Sequence, residues 1–365
     1  MTGRSVAVLL SLAMPVFAQP RASPVDPVDG ILRAFETHRV VALAEGNHGN
    51  EQGHAFRVAL ISDPRFAALV DDIVVEFGNA RYQDVIDRFV GGAEVPDAEL
   101  RRVWQDTTQR ETVWDRPIYE AFYRAVREAN RRAPGGRRLR VLLGDPPTDW
   151  DAPAGARGVL RSDAFPVQVI QREVIAKNRR ALVIFGGMHL IRTRWPFQLP
   201  DDPALAKIAA VLSEQFNQGS IVAQLEREGT RVFAVTTPTD RDLTTLQPDI
   251  TDWPRPSLTI IRDTPLGLAS SLTFFAYNAP VIRGRGGVSQ VLQPDTANAP
   301  RMQDVADAML YLGPPSSITY SRLTAAMCSD RDYVAMRTAR LAEVSTPERD
   351  ATAAFKAECA AALKK

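Results

Sequence analysis

The 365 residues include only two cysteines and four histidines, and the charges nearly cancel, with 44 Lys and Arg against 43 Asp and Glu. A balanced charge leaves no net field to draw in nucleic acid or an anionic membrane, so neither is expected as a partner. No apolar run reaches the roughly 20 residues that a membrane-spanning helix needs. The longest late stretch, 265–282, is interrupted by Pro265, Ser270, Ser271, Thr273, Asn278 and Pro280. Neither a G-x-S-x-G nucleophile elbow nor an H-E-x-x-H metal helix occurs. R-G-R-G-G at 283–287 lacks the strand context, the Lys and the Ser/Thr of a phosphate-binding loop.

What is present begins with a leader. Arg4, the apolar V-A-V-L-L-S-L-A-M-P-V and the small-residue site V-F-A at 16–18 read as a secretory signal peptide over residues 1–18. No cysteine follows the cleavage site, so no lipid anchor is expected, and the mature chain should be soluble and periplasmic or secreted. In such an oxidising compartment Cys328 and Cys359 are expected to form a disulfide between two helices. The alternative, a metal or nucleophilic thiol, lacks a histidine close to either cysteine in sequence. Residues 19–320 are read as one α/β domain, although a chain of this length has room for two. Residues 321–365 are read as a C-terminal helical pair closed by the disulfide, with Thr346, Pro347 and Glu348 opening its second helix.

Four short apolar runs each end in a polar, reactive side chain: V-V-A-L-A-E at Glu45, I-V-V-E-F at Glu76, V-L-L-G-D at Asp145 and L-V-I-F-G-G-M-H at His189. They do not alternate, which is how strands buried on both faces of a parallel sheet read. Strands are expected at 40–45, 72–77, 139–145 and 181–187, with later ones around R-V-F-A-V-T-T, at 258–262 and at 308–313. Helices are expected at 29–38, 51–61 and 202–217, with one long helical stretch ending near 132 at the stop signals Pro134, Gly135 and Gly136. The alternation predicts a three-layer α/β/α fold around a mostly parallel sheet. Ligands of such sheets sit at the carboxyl ends of the strands, so these side chains should converge on one pocket.

The densest cluster is A-E-G-N-H-G-N-E-Q-G-H-A-F-R, residues 44–57. A histidine at the mouth of the sheet can take a proton from water near neutral pH, and a nearby carboxylate can fix its tautomer. His48, three residues after Glu45, is the candidate; by itself it would equally suit a turn between Gly46 and Gly49. Glu76, inside an apolar strand, needs a partner, which His48, His189 or Arg57 could provide. A purely structural Glu76–Arg57 ion pair is the competing reading. Glu51 suits a helix first turn whatever its function, and His54 reads as a helix-surface residue. Asp145, followed by two prolines, either ends its strand or supports the site. Trp150, Trp195 and Trp253 either line a pocket or pack in the core. Arg192 and Arg194 either favour an anionic substrate or are simply solvated.

The segment A-E-G-N-H-G-N-E resembles the G-E-x-x-H-G signature of erythromycin-esterase-like proteins, a superfamily that also takes in ChaN-like haem-uptake proteins and the TIKI/TraB metalloprotease-like proteins. Arg57 on the next helix, Glu76 near the end of the second strand and the G-x-x-H from Gly186 to His189 fall in agreement. The resemblance spans roughly residues 39–190. It implies that His48 is a general base, that Glu45 and Glu76 orient or balance it, that Arg57 supports the site, and that His189 positions water or stabilises an oxyanion. Ala44 stands where the signature has Gly, and the large helical insertion of the esterases between the second-strand Glu and the second His is absent. Two functions follow as alternatives. One is hydrolysis of an ester, lactone or amide of a small molecule, either metal-free or with Zn²⁺ or Mn²⁺ on His48, Glu76 and His189. The other is a ChaN-like periplasmic carrier of haem or metal, using His or Tyr as axial ligand.

Overall fold

A computed structural model describes residues 20–364 apart from 134–137, 154–155, 158–162, 194, 276–280, 284–288 and 347–348. The leader expected at 1–18, the stop signals at 134–136, Arg194, Pro347 and Glu348 therefore lie outside the described residues.

Seven strands form one sheet: β1 (Val40–Ala44), β2 (Asp72–Asn79), β3 (Arg140–Asp145), β4 (Ala181–Phe185), β5 (Val232–Thr236), β6 (Ser257–Ile260) and β9 (Ala308–Tyr311). The two remaining strands, β7 (Val281–Arg283) and β8 (Ser289–Val291), make a separate antiparallel hairpin. The order in the large sheet is β3-β2-β4-β1-β5-β9-β6. Every pairing in it is parallel except β6 with β9. The expected strand at 258–262 thus exists but runs against its neighbour at the sheet edge.

Side chains alternate between two buried faces, as the period of a strand requires. Val41, Leu43, Ile73, Val75, Val141, Leu143, Leu182 and Ile184 join one apolar cluster with the helices from the first half of the chain. Val40, Ala42, Ala44, Val74, Leu142, Val183 and Phe185 join another on the opposite face, with side chains from the helices that follow β3 and β4. This is the three-layer α/β/α architecture. No helix among the described residues is long and apolar enough to cross a membrane.

Several boundaries differ from the sequence reading. The single helical stretch ending near 132 is three helices, Gln83–Val90, Asp97–Gln105 and Pro117–Arg132. Gly92, at φ 104°, Pro96 and Pro117 punctuate it, and each is a stop or start signal that overrides the apolar periodicity. Strand β4 ends at Phe185, and His189 lies in a helical turn, Gly187–Leu190. The C-terminal pair is three helices, Ala325–Ser329, Arg331–Ala342 and Ala351–Ala362. Asp350, not Thr346, caps the last of them, through a bond from the Ala353 N–H; Thr346 instead pairs with Arg349.

The disulfide Cys328–Cys359 is present and joins the first and last of these helices. Around it Leu323, Tyr333, Leu341 and Phe355 form a small core. Buried Arg337 anchors the tail to the main body by an ion pair with buried Asp115, which also accepts a 2.6 Å bond from the Tyr333 hydroxyl. The cysteines are 31 residues apart, and closing a loop of that size stabilises by roughly 3 to 4 kcal/mol in the chain-entropy model. Replacing both with serine should lower stability by about that amount. Urea unfolding of the variant beside the wild type is the check; equal midpoints would mean that Arg337 and the small core hold the tail unaided.

Candidate functional site at the carboxyl ends of the strands

Strand β1 lies between β4 and β5, both reached by crossovers, and the crevice where connections leave in opposite directions opens above its carboxyl end. A cleft of about 420 Å³ sits there. Its walls include His48 from the loop after β1, Gly186 to His189 after β4, Thr236 and Thr237 at the end of β5, and Phe274 and Phe275.

Glu45 directly follows β1, and its N–H bonds to the Phe185 carbonyl at 2.9 Å, so its backbone still belongs to the sheet. Its side chain is fully buried. One carboxylate oxygen is 3.1 Å from the guanidinium of buried Arg57, and the other is 2.9 Å from His48 Nδ1. Burial pushes this carboxyl up, but Arg57 and the hydrogen bond from His48 outweigh it and hold Glu45 below the ordinary glutamate range. An ionised carboxylate has no proton to give, so the bond requires Nδ1–H to donate. In the neutral imidazole the lone pair is then on Nε2.

The loop that turns His48 into the cleft is built from its own polar groups. Gly46 and Gly49 take φ of 74° and 82°, left-handed values that glycine adopts without a Cβ penalty. A Cβ on Gly46 would also fall 2.7 Å from the Thr237 carbonyl oxygen. The Asn50 side chain donates to the carbonyls of Glu45 and Asn47 and accepts from the Gly53 N–H, so one buried residue ties the loop and caps the helix Glu51–Ser62. The Tyr119 hydroxyl accepts from the Gly49 N–H at 2.9 Å. Trp114 packs edge-on against the His48 ring, 4.6 Å between centroids.

Glu76 sits where the pairing of β2 with β3 shifts register, between Val75 and Asn79. Such an irregularity re-aims side chains. Here one oxygen of Glu76 accepts from the Gly186 N–H at 2.6 Å, and the other is 3.6 Å from His189 Nε2. A Cβ on Gly186 would lie 3.0 Å from His48 Cε1 and 3.3 Å from both His48 Nε2 and Glu76 Oε2. His48, Glu76 and His189 therefore meet around this glycine. The competing structural pair of Glu76 with Arg57 does not form; Arg57 pairs with Glu45. His189 Nδ1 is 2.5 Å from Asp163, a residue the sequence did not single out.

The other expected site residues lie elsewhere. Glu51 accepts from the Thr319 hydroxyl on the protein surface. Asp145 is buried at the end of β3, accepting from the Thr108 N–H and hydroxyl. Trp150 donates to the Thr107 carbonyl, and its ring is covered by Arg157 and Arg340. Arg192 pairs with Glu226 and Asp307 beside Val232, at the opposite, amino end of β5. Trp195 is buried behind the cleft wall, 6.0 Å from the ring of Phe275. Trp253 packs edge-on to Tyr311 in the core. His54 is half-buried rather than a surface residue, and burial followed by repulsion from Arg57 lowers its pKa to about 4.

Burial raises the Asp145 carboxyl to about 7, with the Thr108 bonds only partly offsetting it. A carboxyl raised in the folded state is neutral in both states at low pH, and its ionisation opposes folding as pH climbs through the window between about 4 and about 7. Asp145→Asn should therefore raise the melting temperature at pH 8, with the gain shrinking towards zero at pH 4. Thermal melts across this range test it, and a gain independent of pH would contradict the assignment.

The sequence matches no protein-family model and no curated protein. Among solved structures it is similar to a Bacillus cereus protein, with TM-score 0.48 and 10% identity over 82% of this chain and 96% of that one. It is also similar to a variant of erythromycin esterase EreC in its open conformation, with TM-score 0.48 and 13% identity over 81% and 94%. A third similar structure is a succinoglycan biosynthesis protein, with TM-score 0.45 and 10% identity over 82% and 95%.

Proposed function

We propose that the protein is an exported hydrolase that cleaves an ester, lactone or amide of a small molecule with a water activated by His48. The observation that carries this reading is the Glu45–His48 pair, a buried carboxylate 2.9 Å from Nδ1 that makes Nε2 the candidate base. In the reaction, Nε2 takes a proton from water while the water oxygen bonds to the acyl carbon. The carbonyl electrons move onto the carbonyl oxygen, which becomes an oxyanion. As the oxyanion collapses, the acyl–O or acyl–N bond breaks and the leaving group takes the proton back from His48. Glu45 stabilises the imidazolium between these steps, and Arg57 keeps Glu45 ionised.

Size and charge of the cleft support the substrate class. About 420 Å³ suits a small molecule. Phe274, Phe275 and Met188 offer an apolar wall, and the described lining residues include Asp240 but no Lys or Arg. We infer a neutral or cationic substrate rather than an anionic one. The disulfide supports a periplasmic or secreted location.

A metal-assisted variant has one observation in its favour: ligand atoms of Glu45, His48 and Glu76 all lie within 4.8 Å of one another. This set differs from the expected His48, Glu76 and His189 by taking Glu45 in place of His189. Its donors suit Zn²⁺ or Mn²⁺, which would supply an acidified bound water; the Arg57 guanidinium beside Glu45 opposes a second cation there. The haem alternative has less support, because the carboxylates of Glu45 and Glu76 crowd His48, with ligand atoms of the three within 4.8 Å of one another.

The test uses the purified mature chain with p-nitrophenyl acetate, p-nitrophenyl butyrate and δ-valerolactone. His48→Ala should lower kcat/KM by about 10²- to 10⁴-fold, the usual worth of a general base, with the melting temperature preserved. Undiminished hydrolysis by the variant would remove His48 from the mechanism, and a wild type inert on every substrate would count against ester and lactone cleavage. Elemental analysis of both proteins separates the metal-free route from the metal-assisted one.

A further inference from the structure

We propose that Asp163 is a positioning residue for His189, making a second histidine–carboxylate pair on the same cleft as the Glu45–His48 pair. Its effect on turnover rests on the hydrolase reading above; its effect on the His189 ring does not. Asp163 Oδ1 is 2.5 Å from His189 Nδ1. Carboxylates that receive Nδ1–H fix both the tautomer and the orientation of an imidazole. With Nδ1 turned to Asp163, Nε2 is turned to Glu76 Oε1, 3.6 Å away, and His189 itself lines the cleft.

The ordinary explanation for an aspartate at this place is a helix cap, since Asp163 immediately precedes the helix Ala164–Ile170. The structure does not use it so. Its backbone is already in the helical region, at φ −66° and ψ −16°, whereas a capping residue is normally extended, and its side chain makes no capping hydrogen bond. The carboxylate instead reaches His189, 26 residues on, and is largely buried with it; their side chains are 14% and 21% exposed.

The two pairs come from opposite layers of the fold. Glu45 is held by Arg57 on the helix whose Phe56 and Leu60 pack on one face of the sheet. Asp163 leads into the helix whose Val167 and Ile170 pack on the other. The Gly186 N–H fixes Glu76 between them. A reacting carbonyl in the cleft would then meet two oriented imidazoles, His48 and His189, which both line it. Such an arrangement needs the second ring held as firmly as the first, and Asp163 holds its Nδ1.

Two measurements test this on the full mature chain. The first is ¹⁵N–¹H correlation of the His189 ring without substrate, in the wild type and in Asp163→Asn. The wild type should carry its proton on Nδ1, and the variant, whose amide can donate as well as accept, should lose that preference. The second is kinetics on whichever ester the wild type accepts. Asp163→Asn should lower kcat by about 10- to 100-fold with KM changed less than about threefold, and should cost nothing further in a His189→Ala background. An unchanged His189 tautomer in Asp163→Asn would overturn the proposal, as would an equal kcat penalty with and without His189. A shifted tautomer in a protein that hydrolyses no substrate would uphold Asp163 as the holder of His189 and sink the hydrolase reading alone.

Discussion

A single buried carboxylate organises the centre of this molecule. Glu45 has no solvent contact, so its charge must be compensated inside the protein or be lost. Arg57 compensates it from one side and His48 uses it from the other. Satisfying that charge fixes three things together: the seat of the helix Glu51–Ser62 on the sheet, the tautomer of His48, and the path of the glycine-rich loop between them. Removing one partner of such a buried pair costs on the order of 3 to 5 kcal/mol, so the site's chemistry and the local fold are held by the same interaction.

The two ends of the sheet use charge in opposite ways. At the amino ends, buried Asp72 is closed off by Arg140 and Arg179, and Arg192 is held between Glu226 and Asp307. Those groups are neutralised by partners and bind the connections together. At the carboxyl ends, His48 remains about one-third exposed and His189 lines a cleft, with Nδ1 of each at hydrogen-bond distance from a carboxylate. Partly exposed histidines lie where strands end and loops leave, while the charged groups at the opposite rim are paired with one another. The tail adds a third charged seam, through Arg337 and Asp115 and through Arg116 and Glu358, that fastens its disulfide-closed helices beside the segment carrying Trp114.

Much of this was legible in the residues. Continuous apolar runs implied a parallel sheet because a strand covered on both faces has no polar side to show, and β1 to β4 lie where those runs are. The convergence of Glu45, His48, Glu76 and His189 followed from placing each near a strand end, and that of Arg57 from its place on the helix after the first strand. The misplacements have a common cause: Glu51, Trp150, Arg192 and Trp195 were assigned by nearness in sequence to strand ends, yet the chain turns away within a few residues. Arg192 is only three residues after His189 but reaches the far end of β5. Asp163 and Trp114 left no signal, because each reads locally as a helix start or a loop aromatic.

The sequence by itself determined the layers, the strand ends and the residue types that carry charge there, because burial period and turn chemistry are local properties. Only the tertiary structure decided the pairings: Arg57 with Glu45 rather than Glu76, Glu76 with the Gly186 N–H, and Asp163 with His189. The Glu76–Gly186 pairing depends on the neighbouring strands β2 and β4, which bring together residues 110 positions apart, and on a register shift in β2 that no local pattern encodes.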